Sequence, residues 1–158
     1  ADLLNNISFI FKEKGEVDIA ISFLKMSLKI DSTDLDKRCN LGLLYQLNYD
    51  FEKALSIYES ILAIDPSFSL VKYQILSIKQ FLSEWDYIEE KSFWLEDLGI
   101  VGKPIYPSVL LAIEDNPQKH QLIASRFYNE YYSGRQKSVP YIRKNKIRIA
   151  YISTSFCK

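Results

Sequence analysis

Residues 35–68 repeat the pattern of residues 1–34 without a gap. In each copy, two stretches carry apolar residues at helical spacing, and a short turn separates them. Residues of similar size and chemistry recur 34 positions apart: Ile7 and Leu41, Phe11 and Tyr45, Ala20 and Ala54, Leu24 and Tyr58, Asp31 and Asp65. A fixed 34-residue period with two helical halves predicts stacked helical hairpins, because one such hairpin cannot bury its apolar side alone.

The second copy also matches the residue pattern of the tetratricopeptide repeat, whose units have this length. The matching residues are Leu41, Gly42, Tyr45, Ala54, Tyr58 and Pro66. Small residues let the two helices of a unit approach closely, and Pro66 cannot continue the second helix. Arg38 departs from the pattern, since it occupies the position of the opening aromatic residue. The predicted fold class is all-α: an α-solenoid of tetratricopeptide-repeat helical hairpins, with two units over residues 1–68.

The rest of the chain departs from the repeat in three steps. Residues 69–98 predict a degenerate capping helical pair, whose second helix covers 84–98 and whose Trp85, Phe93 and Trp94 we interpret as core residues. Residues 99–145 predict a linker with one helix at about 117–132, which Asn116 and Pro117 would begin. Residues 146–158 contain a run of alternating side chains and predict a terminal β-strand.

A lone strand needs a pairing partner for its backbone, so we interpret residues 146–158 as the first strand of a truncated α/β domain. The first residues of the sequence already fall within a repeat helix. We therefore expect this chain to be a piece of a longer protein, cut at both ends.

Charge is distributed unevenly although the net charge is zero. All 20 acidic residues lie at or before Glu130, whereas seven basic residues and no acidic ones follow it. We interpret the basic run 135–148 as an inter-domain linker; nucleic-acid binding is the alternative, but no binding module accompanies the run. Cys39 and Cys157 lack metal or redox spacing, and no apolar run is long enough to span a membrane. We expect a cytoplasmic protein without nucleic-acid or membrane partners.

Three segments after the repeats resemble parts of one enzyme family. They are SEWDYIEE (83–90), YPSVLLAIED (106–115) and KIRIAYISTSF (146–156). Their order after 34-residue repeats is similar to the junction between repeats and catalytic region in the O-linked N-acetylglucosamine transferase and SPINDLY family. The sequence departs from that family at Ala150, where Gly is usual, and at Ser155, where Asp is usual.

The resemblance implies an activity for the parent protein rather than for this piece alone. It implies transfer of N-acetylglucosamine, or a related sugar, from UDP-N-acetylglucosamine to protein Ser or Thr. The chain ends before the family's active-site His-Pro pair. We therefore assign this piece no catalytic residue, cofactor or metal site, and expect its repeats to hold the protein or peptide substrate. The alternative is a non-enzymatic repeat scaffold for protein–protein interaction.

The resemblance also implies a groove along the first helix of each unit. Its lining residues would be Asp2, Asn5, Phe9 and Lys12 in the first unit, and Asp36, Cys39, Leu43 and Gln46 in the second. Asn6 and Asn40 lie 34 residues apart, so their amides would stack and bind the backbone of an extended peptide. The alternative is that each Asn only ties helices together. We expect His120, the only histidine, to be solvated.

Overall fold

The computed structural model describes residues 2–133, and this part of the protein is all-α. Eight α-helices and one 3₁₀ helix occupy it. They are α1 (Asp2–Glu13), α2 (Val17–Ile30), α3 (Leu35–Leu47), α4 (Phe51–Leu62), α5 (Ser69–Phe81), α6 (Trp85–Glu90), the 3₁₀ helix (Ser92–Leu95), α7 (Ser108–Leu111) and α8 (Pro117–Tyr132). An isolated bridge pairs Leu98 with Val101. The predicted strand within 146–158 lies outside the described residues.

The first five helices pack in chain order. α1 packs against α2, α2 against α3, α3 against α4, and α4 against α5. Three residues separate α1 from α2, α3 from α4, and α5 from α6. Each of these pairs is therefore a helical hairpin with the same turn length, as the 34-residue period predicts. α3 also contacts α5, so the first helices of these two units lie side by side.

The backbone of the hairpin turns repeats with the same 34-residue period. The middle turn residue has a positive φ each time, 78° at Gly15, 60° at Tyr49 and 59° at Ser83. This conformation costs a non-glycine residue about 1–2 kcal/mol, so surrounding structure holds Tyr49 and Ser83 in it. The next residue donates a 2.9 Å backbone hydrogen bond to a carbonyl five residues earlier, in the pairs Glu16–Phe11, Asp50–Tyr45 and Glu84–Lys79. The α5–α6 hairpin, which we call the third unit, thus keeps the turn of the first two.

The turns between hairpins also recur 34 residues apart. The backbone N–H groups of Thr33 and Ser67 donate to the carboxylates of Asp31 and Asp65, at 3.2 and 2.9 Å. Asp34 then caps α3, because its carboxylate accepts a 2.9 Å hydrogen bond from the backbone N–H of Lys37. That bond stabilises the charged form and lowers the pKa of the Asp34 carboxyl.

The first core lies among α2 to α5, and its buried members are Ala20, Ile21, Leu24, Cys39, Leu41, Leu44, Tyr45, Ala54, Tyr58, Ile61, Val71, Ile75 and Ile78.

A second core joins the third unit to the segment that follows it. Its buried members are Tyr73, Leu76, Ile88, Leu98, Ile105, Val109, Leu110 and Ile123. Residues 99–107 form a connector between the 3₁₀ helix and α7. Arg126 on α8 holds this connector in place, because its guanidinium donates to the carbonyls of Gly99 (2.6 Å), Ile100 and Gly102 (2.9 Å). The segment that the sequence predicts as a linker is therefore packed against α5 as far as Ile123.

Two expectations about the capping pair are wrong. The predicted helix over 84–98 is interrupted, since α6 ends at Glu90 and a 3₁₀ helix follows. Trp85 and Phe93 are exposed, whereas half-buried Trp94 packs against both cores. The helix expected at about 117–132 agrees with α8, which begins at Pro117. Asn116 caps this helix, because its side chain accepts a 3.1 Å hydrogen bond from the backbone N–H of Lys119.

Candidate peptide-binding groove

A cavity of about 100 Å³ lies between α1 and α3. It is lined by Asn5, Ser8, Phe9, Lys12, Leu24, Asn40, Leu43 and Leu44. Most of this lining comes from the first helix of each unit, and α2 contributes one leucine. Five of the residues expected in a groove meet at this cavity, namely Asn5, Phe9, Lys12, Asn40 and Leu43. The structure therefore brings together, at one cavity, residues of both units that the sequence analysis expects in a groove.

Two side-chain amides stand at the cavity, Asn5 from the first unit and Asn40 from the second. Each amide carries two N–H donors and one carbonyl acceptor. Asn40 is exposed and Asn5 is half-buried, so a ligand in the cavity has access to both. Asn6 is exposed as well but does not line this cavity. The amide pair at the cavity is thus Asn5 with Asn40, rather than the expected Asn6 with Asn40.

Lys12 brings a positive charge to the cavity. Its ammonium nitrogen lies 3.1 Å from a carboxylate oxygen of Glu13 and 4.3 Å from the centre of the Phe9 ring. The ring face attracts the cation, which holds Lys12 beside the cavity. The Glu13 side chain is exposed, so this ion pair is weak and leaves Lys12 able to meet a carboxylate on a ligand.

Three expected groove residues have partners within the protein. Asp2 lies 3.0 Å from the ammonium of Lys37, and Asp36 accepts a 2.7 Å hydrogen bond from Lys103 of the connector. The hydrogen bond from Lys103 to Asp36 also raises the pKa of the Lys103 ammonium. Gln46 accepts a 3.2 Å hydrogen bond from the Tyr58 hydroxyl between α3 and α4. These three side chains therefore contact other residues of the chain and do not line the cavity.

Cys39 does not face a groove as expected. It is buried in the first core, and burial raises the pKa of its thiol to about 12. The thiol is therefore protonated at neutral pH and behaves as a small apolar side chain. Asn5 holds the corresponding position in the first unit and remains at the cavity, so the two units differ here.

A second cavity, of about 380 Å³, shares the lining residue Leu43 with the first. It is lined by Leu43, Leu70, Tyr73, Gln74, Pro104, Ile105, Tyr106, Phe127, Tyr131 and Tyr132. The ring centres of Tyr106 and Phe127 lie 4.3 Å apart. Sequence reasoning missed this cavity because its walls come from α3, α5, the connector and α8. The i, i+4 spacing of Phe127 and Tyr131 was the available signal for one wall.

His120 is half-buried rather than solvated. Its Nε2 is enclosed and has no hydrogen-bond partner among residues 2–133. The neighbouring Glu114 carboxylate pairs with Lys119 at 2.8 Å.

Within the described range, no group of three or more His, Cys, Asp or Glu side chains could hold a metal ion. No helix in that range is long and apolar enough to cross a membrane.

Comparison with known proteins adds no family to these observations. No family model matches the sequence, and no curated protein matches it significantly. The basis for a functional proposal is therefore the geometry of the two cavities together with the residue patterns of the sequence.

Proposed function

We propose that α1, α3 and α5 line the groove of a tetratricopeptide-type α-solenoid, and that this groove binds an extended segment of another protein. The observation that carries the proposal is the cavity at which Asn5 and Asn40 bring amides from successive units together. The recurrence of the hairpin turns at Gly15, Tyr49 and Ser83 supports a repeated architecture. In such an architecture, equivalent side chains line a continuous surface.

The chemistry of the two cavities suits an extended peptide. A peptide backbone exposes N–H and C=O groups in alternation, and an Asn amide satisfies one of each. Amides from successive units therefore bind backbone with little regard to sequence. Phe9 and Lys12 add an apolar contact and a positive charge. Beyond Leu43, the aromatic lining of the second cavity accommodates an apolar side chain of the same peptide.

Replacing Asn40 by alanine is expected to weaken peptide binding about tenfold. The loss of two hydrogen bonds to a peptide backbone removes about 1.4 kcal/mol, which corresponds to a tenfold rise in Kd. The measurement is fluorescence anisotropy with a labelled peptide selected against the chain from a random library. Thermal unfolding of the variant should be unchanged, because Asn40 is exposed and buries no apolar surface.

Asn48→Ala is the matched control. Asn48 is also exposed and lies at the end of the same helix, but it lines neither cavity. Its removal should leave the Kd within twofold of the parent value, within the usual scatter for a neutral surface change. Equal Kd values for Asn40→Ala and the parent chain would contradict binding through the amides.

The resemblance to the O-linked N-acetylglucosamine transferase and SPINDLY family supports a wider proposal. The parent protein would be a cytoplasmic glycosyltransferase that moves N-acetylglucosamine, or a related sugar, from a UDP-sugar to protein Ser or Thr. This chain would supply the substrate-binding repeats and the junction to the catalytic region. The aromatic second cavity lies at this junction, where the groove would lead a substrate towards the catalytic region. The second candidate is a non-enzymatic scaffold, which the amide groove supports equally well.

An assay of sugar transfer distinguishes the glycosyltransferase from the scaffold. The protein encoded by the whole gene is incubated with UDP-[³H]N-acetylglucosamine and a cell extract, and label in protein is counted. We expect label with the whole protein and none with the 158-residue chain, because no residue of this chain is assigned a catalytic role. Labelling by the 158-residue chain would contradict the assignment of no catalytic residue to it. Absence of labelling by the whole protein, with intact peptide binding, would favour the scaffold.

A further inference from the structure

The outer side of α1 carries an apolar stripe that nothing in the described part of the chain covers. Leu3 and Ile10 stand two helical turns apart on this stripe and are 72% and 52% exposed. Exposed apolar side chains that stand alone are common on proteins, but an aligned set indicates a contact surface. Ile7 lies between Leu3 and Ile10 on α1 and is half-buried.

The 34-residue period identifies the residues of the other units that correspond to this stripe, and the helices that cover them. The counterparts of Leu3 and Ile10 are Lys37 and Leu44 in α3, and Val71 and Ile78 in α5. All four counterparts are buried. Three of them, Leu44, Val71 and Ile78, belong to the first core, where α2 packs against α3 and α4 packs against α5. In both cases the covering element is the second helix of the preceding hairpin.

A second copy of this chain does not offer such a helix. α2 and α4 are each packed between two helices, with Ala20, Leu24, Ala54 and Ile61 buried. α6, the remaining second helix, has only six residues, and its Ile88 is buried in the second core. The faces of α2 and α4 that cover α3 and α5 are therefore already occupied, and among the described residues no second helix has that same face free to cover α1.

We infer that the outer face of α1 is a stacking surface for one more helical hairpin of the same 34-residue kind, joined to the N-terminal end of α1. The hairpin docks through its second helix over Leu3, Ile7 and Ile10. This arrangement continues the α2–α3 and α4–α5 interfaces by one step. It concerns the hairpin architecture and does not depend on peptide binding or sugar transfer.

The test adds such a hairpin to the complete chain. A second copy of residues 1–34 is placed directly before Ala1, so that the added α2 meets the original α1. We expect the urea midpoint of unfolding to shift upward, because each interface between neighbouring units adds to the stability of a repeat array. Backbone amides of the original α1 should also exchange more slowly with deuterium.

The control carries Leu3→Glu and Ile10→Glu in the original α1, with and without the added hairpin. Without it, the two exposed substitutions should leave the urea midpoint almost unchanged. With it, they should abolish the upward shift, because the charges would be buried at the new interface. An unshifted midpoint for the extended chain would overturn the inference. So would a dimer of the original chain, seen by analytical ultracentrifugation, that the two substitutions dissociate.

Discussion

Replacing Tyr58 by alanine is expected to lower the free energy of unfolding by about 3–5 kcal/mol, the usual cost of removing a buried aromatic side chain. The Tyr58 side chain is fully buried in the first core, where α4 packs against α3. Its ring lies directly against Gly42, and a Cβ atom placed at Gly42 would meet ring atoms at 2.9 and 3.0 Å. The ring and the glycine therefore fill one space together, and alanine would leave that space empty.

Tyr58→Phe separates the packing of the ring from the hydrogen bond of its hydroxyl. Phenylalanine keeps the ring and loses only the 3.2 Å bond to Gln46, so we expect a cost of about 1 kcal/mol. Both variants are measured by urea unfolding followed by circular dichroism. If Tyr58→Ala costs no more than Tyr58→Phe, the ring does not determine how closely α3 and α4 approach.

The sequence predicts the hairpins because their determinants lie close together in the chain. Helical spacing of apolar residues defines α1 to α5, and Gly15, Asp34 and Asn116 mark helix ends through local backbone geometry and capping. These signals act over a few residues, so they can be recognised without knowing what packs against each helix. The division of the chain into repeats, cap and linker remains a prediction.

The second core is not predicted from the sequence, because its contacts join residues that are far apart in the chain. Arg126 donates to carbonyls more than twenty residues earlier, at Gly99, Ile100 and Gly102. Pro and Gly residues in the connector predict a loop, but they carry no information about which surface the loop packs against. The end of α6 at Glu90 was not predicted for the same reason. The residues after α6 pack against the second core, and this contact is not visible in the local sequence.

The candidate groove shows that the 34-residue period does not determine the exposure of every side chain. Equivalent positions placed Asn5 and Leu43 at the cavity as expected, but Cys39 is buried. In the second unit, Lys103 of the connector pairs with Asp36 beside Cys39 and influences the thiol electrostatically. The first unit has no such connector among the described residues. Equivalent positions in the two units, such as Asn5 and Cys39, therefore differ in their surroundings and in their exposure.

Replacing Ile123 by alanine is expected to lower the free energy of unfolding by about 2–5 kcal/mol. Ile123 is the residue of α8 in the second core, and its side chain is fully buried. Its atoms also lie close to Gly99, where a Cβ would meet them at 3.0 Å. The alanine variant would leave a cavity between α8 and the connector. Hydrogen exchange should accelerate in α7 and α8 much more than in α1 to α4, because the lost contacts belong to the second core.

Leu122→Ala is the matched control, since it removes a side chain of the same size from the adjacent position. Leu122 is 46% exposed and lies outside both cores, so its loss should cost less than 1 kcal/mol. A large difference between the two variants means that α8 belongs to the folded unit and forms a wall of the second cavity. Equal effects would mean that α8 is only loosely attached, and the aromatic cavity would then not exist as a stable binding surface. The pair thus tests the fold and the C-terminal half of the proposed groove in one experiment.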